Sequence, residues 1–191
     1  MIKFLDLGLQ PLANSYLKKQ NLNDKEKKFK LEVAFNKKNY LVSIINTVPK
    51  EKMFNNTYPY KSSESKTMRK SFKDLKTKIK ERFKPNFIIE IGSNDGVFLK
   101  NFNKKNIVGV EPCKNLAKLT KNNNYTTYSQ YWGMSLARKI TKSKKADLIY
   151  SANTLSHIKN LNEIFKAINY SLSEKGILIL EDPSLLKCIK N

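Results

Sequence analysis

Glu90, Gly92, Asn94 and Gly96 fall within one short stretch, EIGSNDG, set between two apolar segments of the run Phe87 to Phe102. Two glycines four positions apart, with Ser, Asn and Asp beside them, suit a tight loop between a strand and a helix, where backbone can approach a ligand closely. About 20 residues further on, at the end of the next apolar segment, stands Glu111, where a carboxylate can accept hydrogen bonds from both hydroxyls of a ribose. The dinucleotide fingerprint places a glycine at the middle position so that a pyrophosphate can approach, and residue 94 is Asn instead. Strand, ExGxxxG, helix, strand and terminal acid in one register therefore favour a ligand with adenosine and ribose but no pyrophosphate. The plain alternative is a loop that merely turns the chain.

Such a loop needs a sheet to hold it. From Pro85 onward FIIEI, IVGVE, a weaker YTTYS, ADLIYS and ILILE read as strands, and VFLKNF, NLAKLT, WGMSLARKI and LNEIFKAINYSL between them have helix-forming composition. This alternation predicts an α/β fold with a mainly parallel sheet and helices on both faces. Ligands of such sheets bind at the carboxyl ends of the strands where the strand order reverses, usually beside the first strand, which is where EIGSNDG falls.

Upstream, Met68, Phe72, Leu75, Ile79 and Phe83 recur at helical spacing with lysines around the rest of the circumference. An amphipathic helix over residues 66–84 is expected, packed on the following domain; a membrane-surface or RNA-contacting helix is the alternative. Residues 1–65 form a separate small module. In it LEVAF and NYLVSII read as two strands joined by the turn NKKN, followed by the turn-rich TVPKEKMFNNTYPYKSS. Residues 85–191 make the third part.

Composition narrows the function classes. With 191 residues, 40% hydrophobic and rich in Phe and Tyr, the chain can bury a core, which excludes wholesale disorder. No apolar run approaches the ~18–20 residues that span a bilayer, and the N-terminus lacks a signal-peptide layout, so a cytoplasmic protein is expected. Cys113 and Cys188 stand far apart and form no CxxC pair, which suggests neither a disulfide framework nor a cysteine-rich metal site. The formal charge of +21 has two readings: an anionic partner such as nucleic acid, or compositional bias with solubility. Lys greatly outnumbers Arg and is spread along the chain, which favours the second, because specific phosphate recognition more often uses the bidentate Arg fork.

EIGSNDG followed by GVEP, and then ADLIYSANTLSHIKNLNEIF with GILILEDP, resemble S-adenosylmethionine-dependent methyltransferases of the Rossmann-like class. DLGLQPLANSYL at 6–17, TVPKEKMF at 47–54 and YPYKSS at 58–63 resemble more narrowly the NDP-deoxysugar C-methyltransferase family. The resemblance implies a Rossmann-like class I core preceded by a small zinc-binding-type β module. It implies that Glu90, Gly92, Asn94 and Gly96 hold the methionine end of the cofactor, Glu111 the ribose, and Gln130 the adenine amino group, where the family often has an acid. Asn153, counted with the cofactor-binding residues, and the single histidine, His157, as a substrate-binding or proton-handling group, then follow the fourth strand on the side of substrate entry, and Tyr58 and Tyr60, as candidate catalytic residues, lie where the family has a tyrosine beside the sugar. For His157, Tyr58 and Tyr60 the competing reading is purely structural packing.

Two departures from the family shape the expectations. Its zinc site uses two CxxC pairs, whereas this chain begins after the first and has Asn36 and Asn39 where the second would align, so no zinc is expected. The family also continues into a C-terminal catalytic domain with a base, whereas this sequence stops at Asn191, after the fifth strand. A separately encoded partner domain, covering an otherwise exposed sheet edge, is one expectation. The resemblance thus implies methyl transfer to an NDP-linked keto-deoxysugar. The alternatives are a non-catalytic cofactor-binding remnant and, with less support, an RNA methyltransferase or RNA-binding protein.

Overall fold

A computed structural model describes residues 1–190, the side chains of residues 188 and 189 excepted. Any pairing of Cys188 therefore falls outside the described residues. The chain divides into two compact units, Met1–Tyr60 and Lys61–Asn191.

The first unit is a three-stranded antiparallel sheet of β1 (Ile2–Pro11), β2 (Lys28–Phe35) and β3 (Val42–Ile44), with β2 in the middle, followed by the short helix α1 (Lys50–Met53). The hairpin expected around NKKN forms between β2 and β3. Asn36 Oδ1 accepts the Lys38 amide at 3.0 Å and Asn39 Oδ1 accepts the Leu41 amide at 3.2 Å, so both asparagines brace the turn through their own side chains. Sequence reading missed β1. Its register on β2 slips between Lys3 and Leu5 and again between Asp6 and Leu9. These irregularities shift the apolar positions from Ile2 and Phe4 to Leu5, Leu7 and Leu9, which hides the two-residue period that marks a strand.

The second unit begins with α2 (Lys66–Arg82), followed by β4 (Ile88–Ile91), β5 (Ile107–Val110), α3 (Lys114–Asn122), β6 (Thr126–Tyr128), α4 (Met134–Ile140), β7 (Ala146–Ala152), α5 (Leu161–Ser171), β8 (Leu172–Glu181) and α6 (Leu185–Lys190). Its five strands are all parallel in the order β6-β5-β4-β7-β8. The order reverses between β4 and β7, which makes the carboxyl end of β4 the switch point of a Rossmann-like sheet.

Alternate residues divide between two cores. Ile89, Ile91 and Ile149 pack with Leu136 and Ala137 of α4 and Ile164, Ala167 and Ile168 of α5. Ile88, Leu148 and Tyr150 pack on the opposite face with Phe98 and with Phe72 and Ile79 of α2. A strand covered on both faces needs apolar residues at nearly every position, as β4 has. Met68 and Leu75 complete the inner stripe of α2, and Phe83 caps its end in an exposed position. The apolar face of this helix is thus used within the fold.

One expected helix does not form. VFLKNF holds a single 3-10 turn, Leu99–Asn101. Asn101 Nδ2 donates to the carbonyls of Val97 and Phe98 at 2.9 and 3.3 Å, taking acceptors that a continuing helix would give to its own amides. So short a segment has no nucleus to spare for that competition. β8 is the outer strand of the sheet, half-exposed along most of its length.

Candidate functional site

Glu90 is the third residue of β4, pointing to the α2 face of the sheet between Gly109 on β5 and Tyr150 on β7. It is only 4% exposed. One carboxyl oxygen accepts the Leu99 amide, and Oε2 makes no hydrogen bond with the described residues. Burial, reinforced by the charge of Glu111, pushes this carboxyl well above the usual range, with the Leu99 amide opposing. An unmet buried acceptor of this kind costs about 1–3 kcal/mol, and more when charged.

Directly after β4 the chain turns through Gly92 (φ 76°), Asn94 (φ 49°) and Gly96 (φ 81°), three residues in the left-handed region. The glycines are needed on two counts. Their φ disfavours any L side chain, and a Cβ at residue 92 would collide with the side chain of Thr154, which follows β7. Thr154 Oγ1 is itself fixed by donating to the Ala152 carbonyl at 2.8 Å. The loop after β7 therefore sits against the loop after β4, a contact that sequence reading did not supply.

Glu111 ends β5, beside this loop, and is 5% exposed. Its Oε2 accepts the Asn94 amide and its Oε1 the Cys113 amide, each at 2.8 Å. Burial raises this carboxyl too, against the pull of those two amides. The Cys113 thiol also donates to this carboxyl, and the lone-pair capacity left beside these three donors can accept a ligand hydroxyl. Asn94 Oδ1 is engaged by the amides of Ser62 and Asp95, both at 2.9 Å.

The Glu111 amide donates to the Tyr128 carbonyl at 3.0 Å, which draws the end of β6 to the end of β5. Exposed Gln130 lies in the loop that continues from there. Asn153 (φ 48°) follows β7, with its amide donating to the Glu181 carbonyl at 2.6 Å. His157 ends the 3-10 turn Leu155–His157 and is exposed. The second unit thus gathers Glu90, Gly92, Asn94, Gly96 and Glu111 at the ends of β4 and β5, with Gln130 and the Asn153–His157 loop on the flanking strand ends. Tyr58 and Tyr60 belong to the first unit, where the Tyr58 hydroxyl accepts from Asn14 Nδ2 at 3.4 Å and its ring lies 5.6 Å from Phe54.

Sequence reading missed Asp95, Thr154 and the pair Ser62 and Ser63. The Ser63 amide donates to Asp95 Oδ1 at 3.2 Å and its hydroxyl to Asp95 Oδ2. The YPYKSS motif was a visible signal for the serines, but nothing in spacing links residues 62–63 to residues 94–95.

A family described as methyltransferase domain matches residues 65–188. A second, described as a proposed zinc binding domain, matches residues 1–54. No curated protein matches the chain. Among solved structures, a S-adenosylmethionine-dependent methyltransferase from Clostridium acetobutylicum is similar at 19% identity, over 62% of this chain and 52% of that one, with a TM-score of 0.51. The plantazolicin methyltransferase BpumL, solved with a pentazolic desmethylPZN analog and SAH, is similar at 17% identity, over 64% and 49%, with a TM-score of 0.51. CalS10 from Micromonospora echinaspora, an amino pentose methyltransferase of calicheamicin biosynthesis solved with SAM, is similar at 15% identity, over 62% and 52%, with a TM-score of 0.50. The chain spans about half the length of these structures.

The zinc-type match meets a donor set that does not suit zinc. Residues 1–54 contain neither Cys nor His, and no group of three or more His, Cys, Asp or Glu residues is placed to hold a metal among the described residues. Among the same residues, no helix is long and apolar enough to cross a membrane.

Proposed function

The chain belongs to the methyltransferase-domain family, and from that premise we propose that it is an S-adenosylmethionine-dependent methyltransferase acting on a carbon of an NDP-linked keto-deoxysugar. The observation that carries the cofactor reading is the open oxygen of buried Glu90, next to the glycine loop. A cationic ligand with N–H donors would satisfy that acceptor and offset the cost of burying the carboxyl. S-adenosylmethionine, with its ammonium and sulfonium groups, fits this need and when bound supplies an already activated methyl group.

In this reading Glu90, Gly92, Asn94 and Gly96 line the methionine end. Asn94 and Asp95 act there through backbone and loop shape, because the side-chain oxygen of Asn94 is taken by other amides. Glu111 accepts the ribose hydroxyls through its remaining lone pairs, and the Gln130 carbonyl accepts from the adenine amino group. Asn153 joins the cofactor-binding set after β7, and His157 in the same loop binds the sugar or handles its proton. Methylation at carbon requires removal of a proton next to a ketone and stabilisation of the enolate. We assign the base to a further domain that would also cover the outer strand β8. The likeness to CalS10, itself a sugar-modifying enzyme, supports the sugar class.

Titration calorimetry with S-adenosylhomocysteine tests the first step, and transfer of labelled methyl to NDP-linked keto sugars, with and without candidate partner domains, tests the second. Binding with turnover on one such pair is the expected result. Binding without turnover on any pair would reduce the chain to a cofactor-binding protein, and absence of binding would remove the cofactor reading.

A further inference from the structure

We infer that Ser62, Ser63 and Asp95 form a latch that sets the glycine loop in its ligand-binding shape, making the segment before α2 a positioning element of the cofactor site. The inference rests on the cofactor reading above. Residues 62–63 lie about thirty positions upstream of the loop, yet three hydrogen bonds join them to it: the Ser62 amide to Asn94 Oδ1, the Ser63 amide to Asp95 Oδ1 and the Ser63 hydroxyl to Asp95 Oδ2. Asp95 is 3% exposed, so its carboxylate depends on these donors for compensation.

The strap is fixed from its other side as well. Ser65 caps α2 by accepting the Met68 amide at 3.2 Å, and the Arg69 guanidinium donates to the Ser63 carbonyl. Helix α2 is in turn seated on the sheet by buried Phe72 and Ile79. The strap therefore transmits the position of a packed helix to the loop after β4.

From the loop the chain of bonds continues inward. Asn94 holds a left-handed conformation, which Asn tolerates better than most non-glycine residues. Its Oδ1 is gripped by the strap, and its own amide donates to Glu111 Oε2. Releasing the strap would free the Asn94 side chain, expose the Asp95 charge and loosen a donor to the carboxylate assigned to the ribose. Glu90, by contrast, takes no part in the latch and keeps its open oxygen.

The test compares S-adenosylhomocysteine affinity, by titration calorimetry, and thermal midpoint in the wild-type chain, Ser63→Ala, Ser63→Thr and Asp95→Asn. Loss of a charge-assisted hydrogen bond should weaken binding by about tenfold or more in Ser63→Ala and Asp95→Asn. Ser63→Thr, which keeps the hydroxyl, should restore affinity to within about threefold of wild type, since the loss being read is that one bond. Hydrogen exchange should show added protection of the Ser62 and Ser63 amides on ligand binding. Wild-type affinity in both Ser63→Ala and Asp95→Asn would overturn the latch while leaving the cofactor reading intact. A lowered midpoint with weakened binding that Ser63→Thr fails to restore would also overturn it, in favour of a purely structural role. No binding by the wild-type chain would instead overturn the cofactor reading and the latch with it.

Discussion

Glu32 in the first unit and Glu90 in the second are both covered glutamates in the middle of a sheet, and they are treated in opposite ways. Glu32 accepts from Lys3 at 2.7 Å and Lys30 at 3.0 Å through Oε1, and from Asn46 at 2.9 Å through Oε2. Those bonds, Lys3 first and then Lys30, hold its carboxyl below the usual range. The lysines themselves are about half exposed, so the cluster stands at the surface, where water and salt screen it. Glu90 has one amide for one oxygen and none of the described residues for the other, and its carboxyl is pushed up. The difference separates two uses of a carboxylate. Glu32 is complete within its own fold and ties β1, β2 and the segment after β3 together, whereas Glu90 is left incomplete, which a ligand can remedy.

The largest test of that contrast is binding. Glu90→Gln should weaken S-adenosylhomocysteine binding by about a hundredfold, and Glu32→Gln should leave it unchanged, both read by calorimetry. Gly92→Ala should abolish binding, because a side chain there is strained and meets Thr154. Equal affinities for wild type and Glu90→Gln would break the comparison.

Stability should run the other way. A raised folded-state carboxyl binds its proton more tightly than the unfolded chain does, so the contribution of Glu90 grows as pH falls from neutral toward the ordinary carboxyl range. Glu90→Gln should therefore stabilise the apo protein at neutral pH, by about 0.5–2 kcal/mol, with the gain shrinking as pH is lowered. Glu32 has the opposite sign. Its stabilisation is present above the ordinary Glu range and is lost as pH falls through its lowered value.

The smallest effect belongs to the surface cluster. Glu32→Gln should slightly lower the thermal midpoint of residues 1–60, and the difference from wild type should fade in molar salt. A chelator should leave the circular dichroism of both forms unchanged, as a sheet held without Cys or His donors requires.

Much of the second unit was legible. Its strands announce themselves because parallel strands covered on two faces need unbroken apolar runs, and α2 because Phe72 and Ile79 recur at helical spacing. The two glycines and Glu111 were readable for a similar reason: loop and acid sit at the ends of strands whose order the alternation implies. β1 was not readable, because its bulges disturb the alternation, and neither was the loss of a helix at VFLKNF, which turns on where the Asn101 side chain donates. The strap over Asp95 was out of reach too, since a hydrogen bond between residues 63 and 95 leaves no mark on local spacing.

By itself, then, the sequence determined the alternating α/β class, the position of the glycine loop at the first strand and the absence of Cys and His from residues 1–54. These follow from side-chain type and period, which are local properties. Tertiary structure alone decided which carboxylates are satisfied. Glu32, Glu111 and Asp95 find their donors in residues distant along the chain or in backbone amides turned toward them by the fold, and Glu90 finds one for only one of its two oxygens. Burial and hydrogen-bond geometry are set by packing in three dimensions, and so the distinction between a glutamate with both oxygens satisfied and one with an open oxygen was made there.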